Sequence, residues 1–277
     1  MIKTNPIPLG ALTQAAEFVY GPRVQQLLAR PFGVDVLKKR LGRKSKDKSK
    51  GEFFYYIDLR DVACRLDAVV GPANWELGEL DVRDCGDRVS VVSRLRVGNV
   101  WRCGESEAQK IGKDWSGNEK AQELVVQAAG PNATKRAAVL HGVGAYLYGF
   151  KDVNTWEPIN DYGKPTAGDS VEASRLPPWA VPISAPMLVS REIAYMFGLD
   201  ESTLESGMDD AAKSLVASKL AEYWGISSFK GMTVDDGFRL AGCIARINDY
   251  LDAHPGATID DVAKGLPSAA APERLAA

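Results

Sequence analysis

The sequence predicts an α+β protein whose β-β-β-α core, an antiparallel meander packed on a long helix, precedes an all-helical C-terminal module. Apolar and polar residues alternate through three successive segments between residues 75 and 109, which indicates strands. Residues 119–147 then carry apolar residues at helical spacing, and residues 190–254 show helical spacing only. Strands followed by helices, rather than strands alternating with helices, favour the α+β class.

The chain before the meander begins with helix signals. Residues 10–30 predict a helix in two pieces, because Gly21–Pro22 breaks the pattern. Residues 32–42 (FGVDVLKKRLG) predict one further short helical turn. Residues 38–50 (KKRLGRKSKDKSK) hold eight cations and one Asp, so we expect a solvated basic loop there.

A strand and a capped helix follow the basic segment. Residues 53–57 are aromatic or β-branched, which predicts a short strand. Asp58 is a suitable N-cap for the apolar stripe of residues 62–70, and Gly71–Pro72 marks the helix end.

Three strands of the meander come next. Residues 75–83 alternate with one slip of register, whereas residues 88–97 alternate cleanly towards their end. The turn between them is DCGD at 84–87, and the GN turn at 98–99 leads into residues 100–109. This pattern predicts an antiparallel sheet.

The long helix carries two adjacent cations on an otherwise apolar stretch. Gly130–Pro131 is expected to kink the helix or split it. Lys135 and Arg136 follow, and neighbouring residues on a helix point about 100° apart. The two side chains cannot both face the core, because one unpaired charge would then be buried. They belong either to a solvated helix face or to a surface that contacts a polyanion.

The remainder of the chain supplies the domain boundaries. Residues 150–189 are rich in proline and predict loop structure. We therefore expect a core over 1–180, a linker over 181–189, a helical C-terminal module over 190–264 and a flexible tail over 265–277.

Charge is distributed unevenly along the chain. Residues 1–151 carry 24 Lys/Arg and 17 Asp/Glu, a net of +7, whereas residues 152–277 carry 10 and 19, a net of −9. The segment 38–50 alone supplies +7. A dense basic segment attracts polyanions, of which nucleic acid is the usual one.

Several classes of protein are disfavoured by composition. The four cysteines form no C-x-x-C pair and only two histidines are present, so we expect no metal site and free thiols in a reducing cytoplasm. Neither a secretory signal nor an apolar run long enough to span a bilayer is visible.

Phosphate-loop, dinucleotide and hydrolase motifs are not matched. GPNATKR at 130–136 lacks the second glycine before the lysine and follows a helix, and GVG at 142–144 lies within a helix. No G-x-S-x-G elbow occurs, and His141 has the setting of a structural histidine.

One enzymatic alternative stays open at a strand end. Glu105, Glu107 and Lys110 resemble the carboxylates and lysine of a metal-dependent nuclease, because Mg²⁺ prefers oxygen ligands. Gln109 stands where a further carboxylate would help. A polar strand end without catalytic function explains the same residues.

The order of elements gives a different function. A curved sheet with a helix across one face forms a groove, and cations along it can track a phosphate backbone while aromatic rings stack bases.

A family resemblance points the same way. YYIDLRDVACRLDAVVGPANWELGE resembles the opening of the core in the DNA-damage-response protein A family, which belongs to the Rad52-type single-strand annealing proteins. The matching positions are Tyr56, Ile57, Asp58, Leu66, Gly71 and Trp75. ATKRAAVLHGVGAYLYG resembles the family's Lys-Arg block, RLPPWA at 175–180 resembles its closing proline–tryptophan segment, and KDKSK also fits. The resemblance covers about residues 25–180.

The resemblance implies a ring-shaped homo-oligomer that binds and anneals single-stranded DNA without ATP. It assigns Lys135 and Arg136 to the DNA groove. Two positions depart from the family pattern, since Val139 stands where eukaryotic members carry a cation and Asp61, beside Arg60, stands at another groove cation.

We therefore expect a protein of recombination, DNA repair or the DNA damage response, without catalytic turnover, cofactor or metal, in the bacterial cytoplasm or nucleoid. The acidic C-terminal module is expected to recruit a replication or repair protein. A repair scaffold that protects DNA ends is the main alternative, ahead of the nuclease. The side chains assigned to DNA are Lys135, Arg136, Arg60, Lys44, Lys46, Lys48, Lys50, Tyr55, Arg94 and Arg96.

Overall fold

The computed structural model describes residues 18–110, 122–153, 155–199, 210–259 and 262. Its first helix, α1, spans Pro22–Ala29 and buries Val24, Leu27 and Leu28. The predicted break at Gly21–Pro22 is confirmed, because α1 begins at Pro22, whose fixed φ suits a first helical turn. The predicted helical piece before it lies mostly outside the described residues.

The basic segment forms a β-hairpin, so the prediction of a loop was wrong. Strand β1 spans Lys38–Lys44 and pairs antiparallel with β2, Lys50–Tyr56. Residues 34–36 form a turn before it instead of a helix. Alternation explains the hairpin: Lys39 and Leu41 pair with Tyr55 and Phe53 on the inner face, while the remaining cations point to solvent.

A third strand, β7 (Trp156–Pro158), extends this sheet by pairing with β2. It brings the buried carboxylate of Glu157 to the inner face, where it forms ion pairs of 3.0 Å with Lys39 and 2.7 Å with Arg175. These pairs compensate the burial of Lys39, which would otherwise be costly. The predicted loop over 150–189 is therefore partly a sheet strand.

Helix α2 spans Leu59–Val69, as the apolar stripe predicted. Asp58 is its N-cap, and the Asp58 backbone N–H donates to Asp61 Oδ2 at 2.7 Å. Gly71 has a φ of 82°, which ends the helix beside Pro72.

The second sheet is the predicted meander. Its strands are β3 (Trp75–Leu77), β4 (Asp81–Asp84), β5 (Arg88–Val97) and β6 (Val100–Gln109). Strand β5 is central: β6 pairs along one side of it, and β3 and β4 share the other side. The slip of register foreseen in residues 75–83 is the gap between β3 and β4.

Helix α3 spans Gln122–Val139 and crosses the second sheet without splitting at Gly130–Pro131. Pro131 lies on the exposed side, where a missing backbone donor leaves its carbonyl partner accessible to water. Ala129 and Ala133 face Val89 and Val91 in a small apolar cluster.

Gly104 on β6 sets the distance between the sheet and α3. A Cβ at this position would collide with the backbone of Ala133, Arg136 and Ala137. Ser93, the partner of Gly104 in the sheet, hydrogen-bonds through Oγ to Thr134 Oγ1 at 2.9 Å. Backbone therefore contacts backbone at the point where α3 carries its two cations.

The described residues after 180 form three further α-helices: α4 (Ala185–Met196), α5 (Asp210–Trp224) and α6 (Val234–Ala253). Helix α4 begins inside the predicted linker. Helix α6 packs on α1, α2 and α4, and one continuous apolar cluster joins these elements. The apolar cluster crosses the predicted boundary between the core and the C-terminal module. The division into these two domains remains a prediction.

Buried polar side chains fasten α6 to the first helices. Asp249 accepts from the backbone N–H groups of Arg23 (3.0 Å) and Val24 (2.9 Å) at the start of α1. Arg65 of α2 donates to the carbonyl oxygens of Leu27 and Arg30. Its guanidinium lies between the rings of Phe32 and Phe238, at 4.1 and 3.8 Å. Burial lowers the pKa of Arg65 to about 9.

Within the described ranges, no helix is both long enough and apolar enough to cross a membrane.

Gly104→Ala tests the close approach of α3 to the sheet. We expect the variant to lose about 1–3 kcal/mol of unfolding free energy, because the added methyl group pushes two backbones apart. Urea unfolding followed by circular dichroism measures this. Cys103→Ala, an exposed neighbour on the same strand, is the control and should change stability by less than about 0.5 kcal/mol. Equal stability of the two variants would contradict the constraint.

Candidate nucleic-acid interface

The outer face of the hairpin combines cations with aromatic rings. Lys38 pairs with Tyr56 and Arg40 pairs with Phe54 across β1 and β2, so these four side chains share one face. Lys38, Arg40 and Phe54 are exposed, and Tyr56 is half-buried. We call this set the hairpin outer face.

Lys135 connects α3 to this face. Its Nζ donates to the Ile57 carbonyl oxygen at 3.3 Å and lies 5.7 Å from the centre of the Tyr56 ring. Partial burial lowers the pKa of Lys135, while neighbouring Asp58 opposes that shift. The ammonium has three donors, so it can bind an anion while keeping the carbonyl contact.

Arg136 points towards the second sheet. Its Nη1 donates to the Glu105 carbonyl oxygen on β6 at 2.5 Å, and the side chain is otherwise exposed. The two adjacent cations therefore diverge, as helix geometry requires. Together they occupy the α3 surface between the hairpin and β6.

Two carboxylates lie among these cations. Asp58 forms an exposed ion pair with Lys38, which lowers the pKa of the Asp58 carboxyl group. Lys135 and Arg60 lie close enough to lower it further, and Asp61 also influences Lys135. The interface therefore carries a built-in anionic competitor for any phosphate that binds there.

Arg60 is exposed in the first turn of α2, next to Asp58 and Asp61. It lies beside the Asp58 carboxylate that Lys135 also approaches, so the structure brings Arg60 and Lys135 to one carboxylate. The assignment of Arg60 to a DNA groove stays a prediction.

The other predicted lysines lie at the far end of the hairpin. Lys44, Lys46, Lys48 and Lys50 are exposed around its turn. Six residues separate Lys50 from Tyr56, a distance of about 20 Å along the strand. The turn is ordered by Asp47, which accepts from Ser45 Oγ at 2.6 Å and Ser49 Oγ at 2.8 Å, so its pKa falls to about 2. These lysines can extend the basic surface without touching the cluster.

Arg94 and Arg96 lie on the opposite face of the second sheet. Ser93 and Leu95 of β5 face α3, so the residues between and beside them point away from it. Arg96 is engaged by Glu76 at 2.9 Å. The structure does not bring these arginines to the Lys135 cluster, which corrects the grouping inferred from the sequence.

The sequence assigned Tyr55 to DNA binding, but the structure places its ring in the core. Only 7% of the residue is exposed, and its ring packs edge-on against Phe150 at a centroid distance of 5.0 Å. No open ring face is left for a base. Its neighbours Phe54 and Tyr56 point the other way, because side chains alternate along a strand.

Sequence reasoning did not single out four residues of the candidate interface: Lys38, Arg40, Phe54 and Asp58. The first three could have been found by treating KKRLGRK and KGEFFYY as paired strands with alternating faces. The sequence analysis identified Asp58 as a helix cap and as a position that matches the family pattern, but not as a neighbour of these cations.

The alternative nuclease residues are engaged in other contacts. Glu105 accepts from Ser90 Oγ at 2.5 Å, Glu107 forms an ion pair with Arg88 at 3.0 Å, and Lys110 pairs with Asp84. Across the described residues, no three His, Cys, Asp or Glu side chains are grouped so as to hold a metal.

His141 is a core residue. It hydrogen-bonds Tyr20 Oη through Nδ1 at 3.0 Å and lies 3.3 Å from the Leu95 carbonyl oxygen through Nε2. Burial lowers the pKa of His141, which favours the neutral ring.

Comparison with known proteins defines the class to which this chain belongs. Residues 22–163, just over half of the 277-residue chain, match the model of the Rad52/22 family of double-strand break repair proteins. The chain belongs to this family.

More particularly, the chain is similar to single-stranded DNA-binding proteins named DdrA. It is 32% identical over 161 residues to the protein of Deinococcus deserti, covering 57% of this chain and 70% of the relative. Identity to the protein of Deinococcus radiodurans is 29% over 160 residues, covering 57% and 68%. These matches confirm the family resemblance seen in the sequence.

Proposed function

We propose that this protein binds single-stranded DNA and anneals complementary strands during recombination or DNA repair, without ATP. The observation that carries the proposal is the cluster formed by Lys38, Arg40, Arg60, Lys135 and Arg136 where the hairpin meets α3. The names of the relatives support the same ligand.

The cluster suits a phosphate backbone better than an isolated anion. Its cations come from the hairpin, α2 and α3, so they form a surface rather than a single pocket. Lys135 donates a hydrogen bond to a neutral carbonyl group, so this bond does not neutralise the charge of its ammonium group. A strand laid along this surface exchanges condensed counterions for protein cations.

The hairpin turn extends the surface. Lys44, Lys46, Lys48 and Lys50 add positive charge about 20 Å away. Exposed charges at this range attract a polyanion and raise its rate of encounter, particularly at low salt.

We further propose a homo-oligomeric ring. In the described part of the chain, β6 pairs only with β5 and β1 only with β2, which leaves sheet edges for neighbouring subunits. Size-exclusion chromatography with light scattering should therefore give a mass of several times 30.0 kDa. A monomer at micromolar concentration would contradict the ring and leave the DNA-binding proposal untouched.

The acidic C-terminal half is the proposed docking site for a replication or repair protein. This role can coexist with annealing. Deleting residues 187–277 is a poor test of it, because the deletion would expose the faces of α1 and α2 that α6 covers. Charge substitutions on exposed positions of α6 preserve the core and are the better choice.

The DNA-binding surface is tested by the double variant Lys135→Gln with Arg136→Gln. Glutamine keeps a hydrogen-bond donor and removes the charge. We expect anisotropy titrations with a labelled single-stranded oligonucleotide to show a large loss of affinity. The plot of log K against log salt should flatten by about 1.4, from two lost phosphate contacts at about 0.7 each.

The matched control is Lys230→Gln with Arg239→Gln, which removes two exposed cations from the C-terminal region. Light scattering and circular dichroism should be unchanged in both variants. Annealing of complementary strands, measured without ATP or metal, should fall in parallel with binding. Wild-type affinity in the Lys135/Arg136 variant would place the DNA elsewhere.

Asp58→Asn tests the built-in competitor. Asparagine is as good an N-cap as aspartate, so α2 should keep its start. Loss of the carboxylate frees Lys38 to bind a phosphate. We therefore expect the affinity for single-stranded DNA to rise about fivefold at low salt, which corresponds to the free energy of one exposed ion pair. The salt dependence should also steepen.

Asp87→Asn, in the turn before β5, removes an exposed carboxylate far from the cluster and is the control. If both substitutions raise affinity equally, the effect is one of net charge, and Asp58 has no special position.

A further inference from the structure

Phe54 is a large apolar side chain held outside the core. It is 45% exposed and lies in the middle of the hairpin outer face. A phenylalanine in this position loses the apolar burial that would stabilise it. Its neighbours on that face are charged or half-buried, so packing within the described chain does not account for it.

A glycine at a β-bulge leaves the space that the Phe54 ring occupies. The register of the hairpin shifts between Leu41 and Arg43, which places Gly42 at a β-bulge. A Cβ at position 42 would collide with the Phe54 ring. The ring therefore lies over the bare backbone of β1, with part of its surface open to solvent.

A cation accompanies the ring. The Arg40 guanidinium carbon lies 6.0 Å from the centre of the Phe54 ring. The same combination recurs two residues along β2, where Lys135 Nζ lies 5.7 Å from the centre of the Tyr56 ring. Each ring thus has one cation beside it, on one continuous face.

The spacing of the two ring–cation pairs selects a particular ligand. Residues i and i+2 of a strand are about 6.8 Å apart. Bases stacked in a duplex strand rise by about 3.4 Å per nucleotide. Successive bases can reach both rings only if they are unstacked from each other, which a duplex does not allow.

We propose that Phe54 with Arg40 forms a base-stacking subsite for an unpaired nucleobase, with the phosphate of that nucleotide on Arg40 and the adjacent nucleotide at Tyr56 and Lys135. This inference deepens the proposed function and rests on it. It gives the preference for single strands a physical source that cations alone do not supply, because phosphate contacts are equally available on a duplex.

Phe54→Leu is the direct test. Leucine keeps an apolar side chain and removes the π-face. We expect about a tenfold loss of affinity for a single-stranded oligonucleotide, the effect of losing one base–aromatic stack, with an unchanged salt dependence. Affinity for an abasic strand of the same length and charge should not change. Phe54→Trp should retain or exceed wild-type affinity.

Two further variants sharpen the test. Gly42→Ala displaces the ring without changing its chemistry, so it should reproduce the loss seen in Phe54→Leu. Tyr162→Leu removes a 90% exposed ring from the loop beside Leu41 and Lys44 of the hairpin rather than from its outer face, and should bind as the wild type does.

Three outcomes would overturn the subsite. Wild-type affinity in Phe54→Leu is the first. An equal loss of affinity for normal and abasic strands is the second, since Phe54 would then affect binding through the fold rather than by contacting a base. Loss of the oligomer by light scattering is the third, because Phe54 would then be a contact with a second copy of the chain. The Lys135/Arg136 variant tests the proposed backbone surface separately. If that variant binds normally while Phe54→Leu loses affinity, the proposed backbone surface is wrong, but the Phe54 side chain is still required for binding.

Discussion

The contact between α3 and β6 at Gly104 fixes the geometry on which the candidate interface depends. Because no side chain separates the two backbones there, the turn of α3 that carries Lys135 and Arg136 lies within reach of both sheets. Arg136 can therefore contact a backbone carbonyl of β6 while Lys135 contacts the end of β2. A larger distance between α3 and β6 would remove both carbonyl contacts and leave the two side chains mobile. The small residues at the contact therefore fix the positions of the two positive charges.

A second constraint couples the first helices to the last. Asp249 caps α1 from α6, and Arg65 satisfies carbonyl groups at the other end of α1. Glu192 of α4 adds a buried pair with Arg23 at 3.0 Å. Burial raises the pKa of both Glu192 and Asp249, so their charges depend on the partners that surround them. The bonds from Asp249 and Glu192 span more than 160 residues of sequence, and they make the C-terminal helices part of the body that supports the hairpin.

The elements that the sequence predicts well are those with a local cause. Strand β5 alternates, and α2 has an apolar stripe between a cap and a Gly-Pro stop, so neither needs information from elsewhere in the chain. The hairpin was missed because its charge suggested a loop, whereas its inner lysine is stabilised by Glu157, more than 100 residues away. The sequence-based assignment of Tyr55 to DNA did not identify which side of β2 faces the core, since Tyr55 is buried and its neighbour Phe54 is exposed. The alternation was visible, but which face is inner depends on β7 and Phe150, and no local pattern reports that. For Arg94 and Arg96 the inner face of β5 is set instead by α3, which Ser93 contacts through Thr134.

The ion pair between Lys38 and Asp58 also bears on how quickly a bound strand could leave. When a phosphate departs from Lys38, the Asp58 carboxylate is already adjacent to replace it, so the ammonium need not pass through an unpaired state. Dissociation then resembles an exchange of one anion for another, with a lower barrier than the separation of bare charges. Such a surface favours short residence times and repeated re-registration of a strand along the protein. Under the proposed annealing function, in which many alignments are tested before two sequences match, rapid turnover of contacts matters more than their strength.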